Sequence, residues 1–338
     1  MEPAGRRTVA DLALQTDAIG TRPAADRSRV LAKLKFSDLA FHGLTRAAAI
    51  LVLLLLSGVI ISLIIGSWPA LSKFGPGFLV SERWNPVTEN FGALAPIYGT
   101  LVTSFIAMLI AVPVGLMIAM FLTELCPQFL RRPIGIAIEL LAGIPSIIYG
   151  IWGLFVFAPF LQDSLQPFLI SVFGNVPVLS ALFEGPPYGI GMLTAGLILA
   201  IMVLPFVTSI SRDVFSAVPP VLKEAAYGLG CTTWEVARHV VLPYTRVGVI
   251  GGIMLGLGRA LGETMAVTFV IGNAHKVSAS IIAPGTTISA TIANEFTEAV
   301  GDIYTSSLIA LGLILFVITF IVLSFARYLL LRIERRIG

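Results

Sequence analysis

Long apolar runs, separated by short polar stretches, dominate the pattern of this chain. Six of the runs are long enough to cross roughly 30 Å of hydrocarbon as helices, which takes about 20 residues each. They are residues 47–66, 93–123, 134–161, 188–211, 247–273 and 303–326. Three charged side chains fall inside them, namely those of Glu139, Arg259 and Glu263. The pattern therefore predicts an all-α polytopic membrane protein with about six transmembrane helices.

Composition supports the same class of protein. Hydrophobic residues make up 57% of the chain and charged residues only 12%, whereas soluble domains have roughly 25% charged residues. A soluble protein of this composition would expose large apolar patches to water. The chain is therefore expected to lie in a bilayer.

The distribution of lysine and arginine predicts the orientation. Of the 22 basic residues, 18 lie before the first run, after the second and fourth runs, or after the last run. Because cytoplasmic segments carry the excess of Lys and Arg, we expect a multi-pass protein of the cell membrane with both termini in the cytoplasm. The excess of basic residues in the cytoplasmic segments, together with their attraction to anionic lipid, then explains the net charge of +3. We therefore expect no nucleic-acid partner.

The same pattern divides the chain into three parts. Residues 1–44 are predicted to be a basic, mobile cytoplasmic arm, residues 45–330 the transmembrane block, and residues 331–338 a basic tail. The three histidines are scattered and the two cysteines are far apart in sequence, so no metal-ligand spacing appears. No catalytic nucleophile–base pair or metal set is apparent either.

A polar stretch, KEAAYGLGCTTWEVARHVVLPYTR, stands between the fourth and fifth runs. It predicts a short helix over residues 224–229, ended by Gly230 in a left-handed conformation. Thr232 or Thr233 can cap a second helix, and Pro243 is expected to block its continuation. On physical grounds alone, the stretch is either a docking element for another protein or an amphipathic connector on the membrane surface.

The spacing of residues in this stretch resembles the EAA loop of ABC importer permeases, with a valine where that pattern has isoleucine. The matching residues are Glu224, Ala225, Ala226, Gly230, Val240, Leu242 and Pro243. The resemblance implies the MetI-like permease architecture, with residues from about 212 to 246 as the loop that couples the chain to an ATPase subunit. It also implies that this chain binds no cofactor, since ATP and Mg belong to that ATPase.

Two further stretches, ELLAGIPSIIYGIWGLFVF and GLGRALGETMAVTFVIGN, resemble the PstC-type permeases of bacterial phosphate ABC transporters. Either stretch alone would also fit sulfate or molybdate permeases more loosely. The resemblance implies a transporter subunit for inorganic phosphate rather than an enzyme. It further implies a PstA-type permease, a PstB-type ATPase dimer and a PstS-type phosphate-binding protein as partners.

One face of the fifth apolar run combines small residues with both of its charges. At about 100° per residue, this face carries Gly248, Gly252, Gly256, Arg259 and Glu263. Small residues at every fourth position allow a neighbouring helix to approach closely. A cation in mid-membrane is expected to face away from lipid, because its exposure to hydrocarbon is costly. We expect this face to meet a partner permease or to line the substrate pathway.

The two charges on this face allow two interpretations. Arg259 could attract an anion transiently, since guanidinium suits phosphate geometry, and Glu263 could accept a proton still carried by phosphate. Alternatively, the two side chains form a structural ion pair one helical turn apart. Glu139, near the inner end of its run, is expected to pack or to reach the interface rather than to touch solute.

Other function classes remain open at the level of sequence. A permease for sulfate or molybdate is the alternative within transport. A membrane sensor that regulates a cytoplasmic kinase through the polar stretch is an alternative of another class. An intramembrane enzyme is disfavoured, because no helix side carries a plausible catalytic set.

Overall fold

The computed structural model describes residues 24–174, 176 and 179–334. In chain order its helices are α1 (Ala24–Phe74), α2 (Gly77–Val80), α3 (Leu94–Leu125), α4 (Gln128–Ala142), α5 (Ser146–Phe173), α6 (Leu179–Leu182), α7 (Met192–Ser216), α8 (Pro220–Gly228), α9 (Thr233–Leu261), α10 (Met265–Thr268), α11 (Ile288–Glu295) and α12 (Asp302–Glu334). π-helical turns occur within α3, α5 and α9. Six helices, α1, α3, α5, α7, α9 and α12, are long and apolar enough to cross a membrane, and the predicted all-α class with six spans is confirmed.

The chain divides into two compact units, Met1–Ser62 and Leu63–Gly338. In its described part the first unit is helical throughout, from Ala24 onward. Of the predicted arm, residues 1–44, the structure thus describes only residues 24–44, which form the beginning of α1. Residues 1–23 of that arm and residues 335–338 of the predicted tail lie outside the described residues.

The third apolar run does not form the single helix that was predicted over residues 134–161. The chain breaks between Ala142, where α4 ends, and Ser146, where α5 begins. Pro145 is extended there, with ψ of 136°. A proline has no N–H to continue a helix, and it disfavours the α conformation of the residue before it, here Ile144. The span itself starts at this break and continues through π-helical turns to Phe173.

The fifth run also differs from the prediction at both ends. Helix α9 passes through Pro243, so the expectation that this proline ends the helix was wrong. Pro243 directly follows a π-helical turn, in which the N–H of Leu242 donates to the carbonyl of Ala237. The proline removes only its own N–H from the helix, and the helix continues beyond it. At the other end α9 stops at Leu261 rather than reaching residue 273.

The segment after α9 turns back instead of continuing the helix. Gly272 and Asn273 both have positive φ, 91° and 53°, a conformation that no helix of L-residues accommodates. Gly285 closes the resulting loop, because its N–H donates to the carbonyl of Ile271 at 3.0 Å. Hydrophobicity alone does not reveal that the span has already ended, because residues 265–271, just before this turn, are as apolar as those of a span.

Helix α7 lies at the centre of the second unit. In its most apolar window 67% of the residues are buried, whereas no other span exceeds 28%. Its side chains pack against α3, α5 and the segment after α9, with Ile198, Leu199, Val203 and Val207 almost inaccessible. The other spans expose many large apolar side chains, as expected of surfaces that face lipid or another subunit.

Candidate functional site

The predicted coupling loop begins with α8, which ends in a turn built on a glycine. Gly230 has φ of 87°, as predicted. Its N–H donates to the carbonyl of Tyr227 at 2.9 Å, and the N–H of Cys231 donates to that of Ala226 at 3.2 Å. This pair of bonds is the Schellman motif, which satisfies the last carbonyls of a helix. The helix itself starts at Pro220, four residues before its predicted start.

The second helix of the loop starts with a reciprocal cap. The backbone N–H of Thr232 donates to Glu235 Oε2 at 2.7 Å, and the N–H of Glu235 donates to Thr232 Oγ1 at 3.4 Å. Such a capping box satisfies two of the donors that a helix N-terminus leaves unpaired. Of the two predicted caps, Thr232 is therefore the one that is used, and the angle between α8 and α9 is set by local hydrogen bonds.

The loop has a buried side and an exposed side. Ala226, Val236 and Val241 belong to a buried cluster with Phe215 of α7 and Val249 of α9, so the loop is packed onto the spans. On the other side, the exposed residues include Val221, Glu224, Ala225, Leu229 and Trp234. Of the predicted coupling residues, Gly230 and Pro243 are also exposed, Leu242 is half-buried and Ala226 is buried. A protein surface that exposes leucine and tryptophan beside a carboxylate is suited to docking another protein.

An ion pair that sequence reasoning missed attaches the loop to α3. Lys223 Nζ lies 2.6 Å from Glu124 Oε1, and only 19% and 6% of the two side chains are exposed. The carboxylate stands at the end of α3 and the ammonium on α8. The two residues are 99 positions apart in sequence, and neither spacing nor composition could have paired them. Motion of α8 must therefore displace the end of α3 or break this pair.

The glycine stripe of α9 packs against a helix of the same chain. A Cβ at Gly248, Gly252 or Gly256 would lie 2.6, 2.8 or 3.1 Å from side-chain atoms of Val214, Ile210 and Val207, respectively. All three neighbours belong to α7. We expected these glycines to meet a partner permease or to line the pathway. In the structure they instead make a tight contact between α7 and α9, which small residues permit.

Arg259 and Glu263 are not joined in the structure. Helix α9 ends at Leu261, so Glu263 does not stand one helical turn beyond Arg259. Its Oε1 accepts a hydrogen bond from the N–H of Ala266 at 3.3 Å instead. Across the described ranges, no carboxylate oxygen lies within 4 Å of the Arg259 guanidinium.

The surroundings of Arg259 leave it accessible. Its side chain is exposed, two residues before the end of the span, and it lies within Coulombic range of the Tyr149 hydroxyl near the start of α5. That hydroxyl donates to the carbonyl of Leu141 at 2.9 Å across the α4–α5 break. An exposed cation in an apolar span has to be covered by water or by another subunit. The location is therefore suitable for an anion.

Glu139 has a partner that the sequence did not identify. It lies on α4 rather than on a span, and Arg212 donates to its Oε1 at 2.6 Å. Arg212 also contacts Asp213 at 3.1 Å. The carboxylate is therefore held by Arg212 of α7, near the end of that helix from which the coupling loop starts.

A polar cluster at the opposite end of the spans was also missed. Glu295 accepts hydrogen bonds from His275 at 2.8 Å, from Tyr304 at 2.8 Å and from the indole N–H of Trp84, and the Trp84 and His275 rings stack 5.2 Å apart. Burial raises the pKa of Glu295, but the bonds from His275, Tyr304 and Trp84 outweigh it, and the net pKa lies below its ordinary value. The cluster fixes the loop after α10 against α11 and α12.

The described residues do not bring together three or more His, Cys, Asp or Glu side chains in a geometry that could hold a metal ion. The two regions that stand out are thus the coupling loop and the surroundings of Arg259. One provides a surface for another protein, and the other provides an accessible cation within the spans.

Comparison with known proteins identifies the family. Residues 111–335 match the family described as binding-protein-dependent transport system inner membrane component. A protein of Mesorhizobium japonicum called "Phosphate transport system permease protein PstC" is 71% identical over 314 residues, which cover 93% of this chain and 96% of the relative. A protein of the same description from Pasteurella multocida is 60% identical, with 89% and 94% covered.

A solved structure supports the fold. The chain resembles one from a bacterial alginate ABC transporter with a TM-score of 0.58 and 16% identity, covering 90% of this chain and 98% of the other. The family match covers more than half of the chain and includes α5, α7, the coupling loop and α9. The chain therefore belongs to the inner membrane components of binding-protein-dependent transport systems, and within them to the PstC-type permeases.

Proposed function

We propose that this chain is a permease subunit of an ATP-driven importer of inorganic phosphate, and that it forms the translocation pathway with a partner permease. The observation that carries the proposal is the 71% identity, over 93% of the chain, to a relative described as a phosphate transport permease. The exposed Arg259 supports it, because a guanidinium can bind two oxygens of one phosphate. The chain itself does no covalent chemistry.

The proposed transporter contains three further kinds of subunit. They are a PstA-type permease, a PstB-type ATPase dimer that binds ATP and Mg, and a PstS-type phosphate-binding protein. Glu224, Ala225 and the exposed apolar residues of the coupling loop are assigned to contact with the ATPase. Their exposure on one side, opposite the side that packs on the spans, supports this assignment.

Within the pathway, Arg259 lowers the electrostatic barrier for an anion that crosses the apolar span. Coulombic attraction is stronger in this low-dielectric surrounding than in water. Glu263, half-buried and three residues from Ala266, is assigned to accept a proton from a protonated phosphate. The α7–α9 glycine contact holds the helix that carries Arg259 in place.

Uptake of labelled phosphate tests the proposed substrate. Cells that lack their own high-affinity phosphate uptake, supplied with this chain and its partner subunits, should accumulate phosphate in an ATP-dependent manner. A tenfold excess of sulfate should leave that uptake unchanged. Uptake that sulfate or molybdate abolishes, or uptake that persists when the ATPase is inactive, would contradict the proposal.

We further propose that both termini and the coupling loop lie in the cytoplasm, as the excess of basic residues at that end supports. In a variant without the native cysteines, a single cysteine at Val87 should react with an impermeant thiol reagent added to sealed cells. A cysteine at Leu229 should react only after the membrane is opened. The two positions form a matched pair, since they are 92% and 87% exposed. Labelling of Leu229→Cys in sealed cells would reverse the proposed orientation.

A further inference from the structure

A cavity of about 360 Å³, with several charged side chains in its wall, lies where α3 and α7 end and α4 begins. It is lined by Leu122, Thr123, Gln128, Arg131, Arg132, Ile136, Glu139, Arg212 and Ser216. Two spans terminate at this cavity, which places it at the level of a membrane interface. It contains neither Arg259 nor Glu224, Ala225 and the exposed apolar residues that are assigned to contact with the ATPase.

The wall of this cavity is cationic. Three of its lining residues are arginines and one is a glutamate, which leaves an excess of positive charge. Arg131 is fixed in position, because its Nη2 donates to the carbonyl of Thr123 at 2.8 Å at the end of α3. Arg212 is held by Glu139 at 2.6 Å. In the described part of the chain Arg132 has no carboxylate within 4 Å, so its charge is available to a ligand.

Helix α4 connects the cationic wall to an apolar surface. Gln128, Arg132, Ile136 and Glu139 stand on successive turns of one face and line the cavity. Beside them, Phe129 and other large apolar side chains of α4 are exposed. A ligand that fills the cavity and covers this surface must carry an anionic group together with a long apolar part.

We propose that this cavity binds the phosphodiester headgroup of an anionic membrane lipid, with the acyl chains lying on the exposed apolar side of α4. Guanidinium groups match the geometry of phosphate oxygens, and basic pockets at the ends of transmembrane helices are suited to lipid headgroups. Inorganic phosphate shares the headgroup chemistry but would leave the apolar surface beside the cavity uncovered. This inference does not depend on the solute that the transporter carries.

The test uses the assembled transporter in nanodiscs that contain phosphatidylglycerol and phosphatidylcholine in equal amounts. After release into detergent, native mass spectrometry measures the phosphatidylglycerol that remains bound. Arg132→Gln removes one charge without breaking a hydrogen bond observed in the structure, and retention should fall by about fivefold, the effect of one basic residue at a lipid surface. Arg46→Gln, an exposed basic position on α1 outside the cavity, is the matched control and should lower lipid retention clearly less than Arg132→Gln.

A second variant distinguishes a loss of lipid binding from a folding defect. Ile136→Glu keeps all three arginines but places a carboxylate on the cavity wall, and it should also reduce retention of phosphatidylglycerol. Unchanged thermal unfolding midpoints would show that both variants are folded. Equal retention by Arg132→Gln, Ile136→Glu and Arg46→Gln would overturn the proposal.

Two further outcomes would assign the cavity to another ligand. Inorganic phosphate at 10 mM, a concentration on the order used to saturate weak sites, should not displace the lipid. Displacement would identify the cavity as a free phosphate site. Loss of the ATPase subunit from the Arg132→Gln complex, with lipid retained, would identify it as a protein-docking surface. Either result contradicts the proposed lipid site.

Discussion

Replacing Arg259 by glutamine should lower phosphate uptake on the order of a hundredfold while the transporter still assembles. The substitution keeps hydrogen-bonding groups but removes the accessible cation near the C-terminal end of α9. A charge contribution of about 3 kcal/mol to the crossing of an anion, similar to the cost of a charge in mid-membrane, corresponds to that factor. Uptake of labelled phosphate and copurification of the other subunits measure the two properties separately.

The double variant Arg259→Gln with Glu263→Gln distinguishes a pathway role from an ion pair. If the two side chains only neutralised each other, removing both charges would restore uptake. The structure places Glu263 beyond the end of α9, bonded to the N–H of Ala266, and we therefore expect no rescue. Arg46→Gln, the same substitution at an exposed position of α1 outside the coupling loop, is the control and should keep most of the uptake. Restored uptake in the double variant would contradict the pathway role of Arg259.

Replacing Lys223 by methionine should destabilise the protein by about 3 kcal/mol or more. The substitution leaves Glu124, which is only 6% exposed, as a buried and unpaired carboxylate, and breaking a buried ion pair from one side costs about 3–5 kcal/mol. The unfolding midpoint of the purified chain measures the effect. Adding Glu124→Gln should recover most of the stability, because it removes the unpaired charge.

A matched control is available within the chain. Lys73 and Glu89 form a pair at 3.1 Å whose side chains are 41% and 54% exposed, and Lys73→Met should cost about 1 kcal/mol or less. The double variant at Lys223 and Glu124 should be stable but transport poorly, because α8 is then no longer attached to the end of α3 by a charge pair. Equal midpoints for Lys223→Met and Lys73→Met would refute the structural role of the pair.

Features that depend on local sequence were predicted well. The six apolar runs led to six spans, because length and hydrophobicity alone determine whether a segment can cross a bilayer. The left-handed turn at Gly230 and a cap at Thr232 or Thr233 followed from residue types, since both are made by neighbours within a few positions. The spacing of the EAA motif likewise required no knowledge of tertiary contacts.

The limits of two spans could not be read from hydrophobicity. The break before Ser146 and the end of α9 at Leu261 both occur inside apolar sequence. Pro145 breaks the helix in the first segment, and in the second the left-handed turn at Gly272 lies within the predicted span and prevents one helix from reaching residue 273. A hydropathy pattern contains no information on such turns, because a turn buried within protein can be as apolar as a helix.

Only the tertiary structure shows which residues of the chain contact one another. Glu139 pairs with Arg212 across 73 positions and Lys223 with Glu124 across 99, and the glycine stripe of α9 packs on α7 rather than on another subunit. Sequence showed that these residues were unusual in an apolar chain, because charge is costly there and small residues favour close contact. It could not show which residues face one another, because that depends on how distant helices pack.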